Sequence, residues 1–127
     1  MDLYHVIYTS VPSRPMNDAE LYDLLLISRE ANSRFNVTGM LICLPESFTQ
    51  LIEGPRRNIE QLYTNIQVDK RHLRVTTLRE GPIDQRYFPD WAMAFSRQGG
   101  TGIGVEVLSV YNEAVLQLFD ILEDNRF

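Results

Sequence analysis

The chain is poor in the residues that build disulfides, metal sites and cationic surfaces. One cysteine, Cys43, and two histidines, His5 and His72, occur in 127 residues. A single cysteine excludes an intrachain disulfide, and so few soft ligands argue against a structural zinc site. Cys43 lies in an apolar run and is expected as a small buried hydrophobe. Basic residues are outnumbered, 12 against 17, for a net charge of −5. Their one short cluster is Lys70-Arg71-His72-Leu73-Arg74. Nucleic acids and anionic membranes require a cationic face, so neither is expected as a partner. No apolar stretch is long enough to span a bilayer. Asp2 and His5 interrupt any signal-like run, so a reducing, cytoplasmic compartment is expected.

What is present suits one compact domain: 44% hydrophobic and 23% charged residues in a chain too short for two cores. Leu3 to Thr9 reads as a strand and Val11 to Pro15 as a loop. Asn17 is placed to cap a helix, with Glu20 closing a capping box. Leu21, Leu24, Leu25, Ser28 and Asn32 recur on one helical face, and the helix stops before Asn36. Val37 to Leu44 and Phe48 to Glu53 read as a hairpin around Pro45-Glu46-Ser47, closed by Gly54-Pro55. Asn58 to Val68 is a second helix with Ile59, Leu62, Tyr63 and Ile66 on one stripe. Leu73 to Arg79 and Trp91 to Phe95 are further strands. Residues 97–104 form a glycine-rich linker, and Val105 to Glu123 a last helix. The linker lacks the lysine of a phosphate loop and the strand–glycine–helix setting of a dinucleotide fingerprint.

The order βαββαββα predicts an α+β fold: a ferredoxin-like split βαβ with a five-stranded mixed sheet. Two helices lie on one face and the C-terminal helix on the other. The expected domain is residues 1–96, followed by the linker and residues 105–127. A right-handed crossover is expected to lay the first strand parallel to and beside Phe48–Glu53. Alternation then sets Tyr8 and Gln50 on the helix side, and His5 outward as a surface residue.

Gln50 is the most telling of these. It shares a strand face with Phe48 and Ile52, and a carboxamide there is costly without hydrogen-bond partners. A backbone carbonyl or water would satisfy it; so would a ligand. Tyr8 and Asn32 each have an equally plain structural role. Together the three make a donor and acceptor set between apolar walls, as small-ligand sites do.

Six stretches, in order, resemble the BLUF domain, the flavin-binding blue-light sensor module, here in a short single-domain form. They are Tyr8-Thr9-Ser10, Ser28-Arg29-Glu30-Ala31-Asn32, Val37-Thr38-Gly39-Met40-Leu41, Phe48-Thr49-Gln50-Leu51-Ile52-Glu53-Gly54, Asp69-Lys70-Arg71-His72 and Phe88-Pro89-Asp90-Trp91-Ala92-Met93. The resemblance covers roughly residues 3 to 96. It implies a noncovalent FAD, with FMN or riboflavin not excluded, whose ring slots between the two helices. Asn32 would hold the pyrimidine edge, Gln50 would bridge ring and Tyr8, and Leu24 and Ile66 would flank the ring. Ser10, Ser28, Arg29, Arg71 and His72 would complete the cofactor contacts. Trp91 and Met93 would lie near Gln50. It further implies a photoreceptor rather than an enzyme. A homo-oligomer is expected, and, because the sequence shows no second domain, output to a separate effector protein in trans.

Departures exist. Ala31 stands where some relatives carry a polar or aromatic residue and Asn65 where a basic one is common, which suggests a looser hold on the cofactor. Two other classes fit the same fold. One is an acylphosphatase-type hydrolase, for which Arg14 is the only hint. The other is a ligand-free regulatory or dimerisation module built on the last helix. Asp69/Lys70 reads as solvated charge, His72 as a strand-entry surface residue unless a cofactor reaches it, and Glu53 lacks a partner acid or nucleophile for catalysis.

Overall fold

The computed structural model describes residues 2–14, 17–43, 47–89 and 94–97. Seven elements follow in order: β1 (Leu3–Pro12), α1 (Asp18–Arg34), β2 (Thr38–Cys43), β3 (Phe48–Pro55), α2 (Arg56–Val68), β4 (His72–Pro82) and β5 (Ala94–Arg97). Arg97, expected as the first linker residue, instead ends β5; the rest of the linker, the last helix and the Pro45-Glu46 turn lie outside the described residues, as do Trp91, Met93 and the side chain of Cys43. Both ends of β3 and β4 run further than the alternation predicts, or as far. Strand β1 also continues through Val11 and Pro12, which pair with Leu73 and His72 rather than looping away.

The sheet is mixed and five-stranded, in the order β4-β1-β3-β2-β5. The α+β ferredoxin-like expectation holds, with one correction. β1 runs antiparallel to β3, not parallel, with Tyr8 directly opposite Gln50. The crossover through α1 makes β1 parallel to β2, and β3 is inserted between them. A strand that returns from β2 by a hairpin must oppose both neighbours. The parallel pairing is instead that of β5 with β2.

Local chemistry explains the helix limits. Asn17 accepts from the Glu20 amide, and the Glu20 carboxylate reaches back to the Asn17 amide, completing the capping box. At the other end Asn36 takes a left-handed φ of 58°, which asparagine tolerates. Its neighbour Val37 donates to the Asn32 carbonyl at 2.7 Å. Helix α2 buries Ile59 and Tyr63 against the sheet.

Both faces of the central strands are covered. Val6, Ile7, Met40, Leu51, Ile52 and Ile59 form the core, joined by Leu25 from α1 and Phe88 from the segment after β4. His5 is therefore a correction to its expected surface place. It does point away from the helices, yet it is only 2% exposed. Glu53, opposite His5 on β3, is wholly buried too. Gly39 is obligatory for packing: a Cβ there would stand 2.0 Å from the Leu51 carbonyl oxygen on the neighbouring strand.

Candidate functional site

A cleft of about 250 Å³ opens on the helix side of the sheet. Its walls are Leu24, Ile27, Ser28, Ala31 and Asn32 of α1 and Leu62, Asn65 and Ile66 of α2. Its floor is Tyr8, Leu41, Phe48 and Gln50 from three adjacent strands, and Asp69, Arg71 and His72 close one end. The α1 wall is mainly apolar because Leu24, Ile27 and Ala31 share one helical face, while Leu25 turns a further 100° into the core. Ser28, Asn32 and Asn65 add polar groups to the walls.

At the floor, the Tyr8 hydroxyl donates to Gln50 Oε1. Tyr8 is 4% exposed, its ring tilted against Tyr63 at 5.4 Å and edge-on to His72 at 6.2 Å. Burial holds the phenol well above its ordinary pKa, so it keeps its proton and remains a donor. An amide whose Oε1 faces Tyr8 directs its NH₂ the other way.

His72 is fixed from two sides. Its Nε2 lies 2.5 Å from the Ile66 carbonyl, which can only accept, so Nε2 carries the proton. Its Nδ1 lies 3.0 Å from Ser10 Oγ, a hydroxyl able to donate or accept. Ser10 is buried behind the cleft and braces His72 rather than lining the space. His72 is thus half-buried and part of the site, not a surface residue.

Asp69 pairs with Arg71, not with Lys70: Arg71 Nε lies 3.0 Å from each carboxylate oxygen and its terminal nitrogen 2.5 Å from Oδ2. That guanidinium holds the Asp69 pKa down to about 2. A second depression, lined by Ser13, Arg14, Glu20 and Asp23, shares Leu24, Ile27 and Arg71 with the cleft. Arg14 is exposed and bound to Glu20, so the one hint of an anion-cradling hydrolase is already an ion pair.

Of the residues singled out from sequence, Tyr8, Leu24, Ser28, Asn32, Gln50, Ile66, Arg71 and His72 surround one cleft. Arg29 is half-buried on α1 and is not among the lining residues. Trp91 and Met93 lie outside the described residues. Sequence reasoning missed Ile27, Leu41 and Asp69. Ile27 was accessible from its spacing to Leu24 and Ala31, and Asp69 from its place two residues before Arg71; Leu41 depends on its pairing with Gln50 across the sheet.

The donor set fits a flat heteroaromatic ring with its own donors and acceptors. Two carboxamides, Asn32 and Gln50, the Tyr8 phenol and the Arg71 guanidinium line the cleft together with Leu24, Leu62 and Ile66 of the two helices. Among the described residues no group of three His, Cys, Asp or Glu could hold a metal ion. None of the described helices is long and apolar enough to cross a membrane.

Comparison with known proteins gives concordant results. The family model "BLUF: Sensors of blue-light using FAD" matches residues 3–94. Photoactivated adenylate cyclase subunit beta of Euglena gracilis is 32% identical over 87 residues, 68% of this chain and 10% of that protein. Subunit alpha of the same organism is 34% identical over 86 residues, 68% of this chain and 8% of that protein. The chain thus spans about a tenth of the length of these relatives. Among solved structures, the dark state of the BLUF protein BlrB superposes with a TM-score of 0.74 at 28% identity, covering 94% of this chain and 85% of that one. BlrP1 of Klebsiella pneumoniae, solved with FMN and cyclic diGMP, gives 0.73 at 27% identity over 96% of this chain and 35% of that one.

Proposed function

This chain belongs to the BLUF family of flavin-based blue-light sensors, and on that premise we propose that it reads light through a Tyr8–Gln50–Asn32 edge. Residues 3–94 are a sensor module rather than an enzyme. The observation that carries the finer reading is the hydrogen bond from buried Tyr8 to Gln50 on the floor of a cleft between two apolar helix faces.

A bound flavin supplies absorption of blue light and, when excited, a strong oxidant. The residues do the rest. Asn32 holds one edge of the ring and Leu24 and Ile66 exclude water from its faces. Tyr8 keeps its proton in the dark, because burial opposes phenolate. Its phenol is also a group able to release an electron and that proton together. Gln50 is the switch, because an amide can present either its oxygen or its NH₂ by rotation or tautomerism. In the dark arrangement its oxygen accepts from Tyr8; after the exchange, NH₂ faces Tyr8 and the phenol oxygen accepts instead. The two arrangements make a bistable element that light can bias.

FAD is the proposed cofactor, following the family, with FMN or riboflavin accepted by the same ring contacts. In the Euglena relatives the name couples light to adenylate cyclase. Here the proposed output is a change of contact with a separate effector protein, with the chain acting as a homo-oligomer in the cytoplasm. The deciding experiment is the visible absorption spectrum of the purified protein in the dark and just after blue light. A flavin band that moves to the red and relaxes in darkness is expected. Protein that stays colourless after FAD is added would overturn the proposal.

A further inference from the structure

Strand β3 carries a second functional group on its other face. Three residues beyond Gln50, the Glu53 carboxylate is wholly buried and accepts three hydrogen bonds. Tyr87 N donates to Oε1 at 2.7 Å, and Phe88 N and Thr38 Oγ1 donate to Oε2 at 2.8 Å each. Two of these donors belong to the segment after β4, and they are backbone amides, so the carboxylate holds main chain rather than a side chain. The same segment is gripped twice more. Arg86 donates to Thr38 Oγ1 at 3.0 Å and to the Asn36 carbonyl at 2.8 Å. The Tyr87 ring packs edge-on against buried His5 at 5.9 Å.

This segment leads to β5, whose Phe95 is aligned with Leu41, which in turn is aligned with Gln50. The strand that bears the switch amide on one face therefore anchors, on the other, the chain entering the far edge of the sheet. A buried carboxylate with two backbone amides is costly to form unless each bond is made. Such a clamp has one favoured geometry, and displacement of β3 is passed to Tyr87–Phe88 instead of being absorbed.

We propose that Glu53 is a positioning residue for the light response: it locks Tyr87–Phe88 to β3, so that rearrangement at Gln50 is felt at β5. The inference rests on the sensor reading above. It is tested with Glu53→Gln in the flavin-loaded protein, by the light-minus-dark spectrum, the dark-recovery rate and amide hydrogen exchange. The red shift should persist, because the cleft is untouched. Exchange protection at Tyr87 and Phe88 should fall about tenfold, as for loss of a hydrogen bond to a charged acceptor. The dark-recovery rate should change by about threefold or more, the range by which remote coupling residues act. Lost protection with an unaltered recovery rate would make Glu53 a structural clamp only and overturn the proposal. If Glu53→Gln does not fold, Thr38→Val removes one of the three donors and should by itself change the recovery rate by about twofold or more. An unaltered rate there overturns the proposal as well. A wild-type protein with no light-induced shift would instead refute the sensor reading, while exchange at Tyr87 and Phe88 would still report the clamp.

Discussion

Tyr8→Phe and Gln50→Leu, made singly and together, test the hydrogen bond at the centre of the cleft. Gln50→Leu leaves the hydroxyl of buried Tyr8 without its acceptor, at a cost of about 1–3 kcal/mol. Tyr8→Phe leaves the half-buried amide, which can turn to the polar edge of the bound flavin, so its cost is smaller, about 0.5–1.5 kcal/mol. In the double variant neither polar end remains, and two apolar side chains face each other beside Phe48 and Leu41. Its cost should therefore fall short of the sum of the single changes by about 1 kcal/mol. At this chain length each kcal/mol corresponds to roughly 3–6 °C in Tm. Thermal or urea unfolding of flavin-saturated protein gives the three stabilities, and the difference spectrum gives the photoresponse. Flavin should be retained in all three variants, and the light-induced shift should vanish in Gln50→Leu. Additivity to within about 0.3 kcal/mol would mean that the two side chains do not interact. An undiminished shift in Gln50→Leu would remove the amide from the mechanism.

Three further outcomes are expected. Gly39→Ala places a Cβ 2.0 Å from the Leu51 carbonyl oxygen; β2 and β3 would have to separate, so a loss of more than about 3 kcal/mol in urea unfolding is expected. His5 has its pKa lowered below 6.5, first by burial, so the unfolded chain binds the proton more readily than the folded one. Stability should then fall as pH drops below about 6.5, and His5→Phe should flatten that slope between about pH 7 and pH 5. For Asp69, the Arg71 bond lowers the pKa from 3.8 to about 2. Its contribution is present above pH 3.8 and lost as pH falls toward 2. Because Arg71 is exposed and Asp69 only partly buried, Asp69→Asn should cost less than about 1 kcal/mol by thermal unfolding at neutral pH.

The elements and the polar edge of the cleft were legible in local pattern. The alternation of Leu3–Thr9 and Phe48–Glu53 already put Tyr8 and Gln50 on one side, because a strand's side chains alternate whatever lies against them. Asn17 and Glu20 announced the start of α1, because a capping box is satisfied within four residues. What covers each side was not legible, because it depends on contacts distant in sequence. Alternation turned His5 away from the helices correctly, but only the packed segment ending in Tyr87 and Phe88 decided that this direction is buried. The same segment converted Glu53 from a strand-end acid into the acceptor of two remote amides. Strand direction followed suit: β1 and β3 are antiparallel because β3 is threaded between two strands joined by a crossover, a fact of topology that no pattern within either strand contains. Local sequence determined which way each side chain points; the tertiary structure decided what it meets there, since burial and pairing are properties of the assembled sheet and not of any one strand.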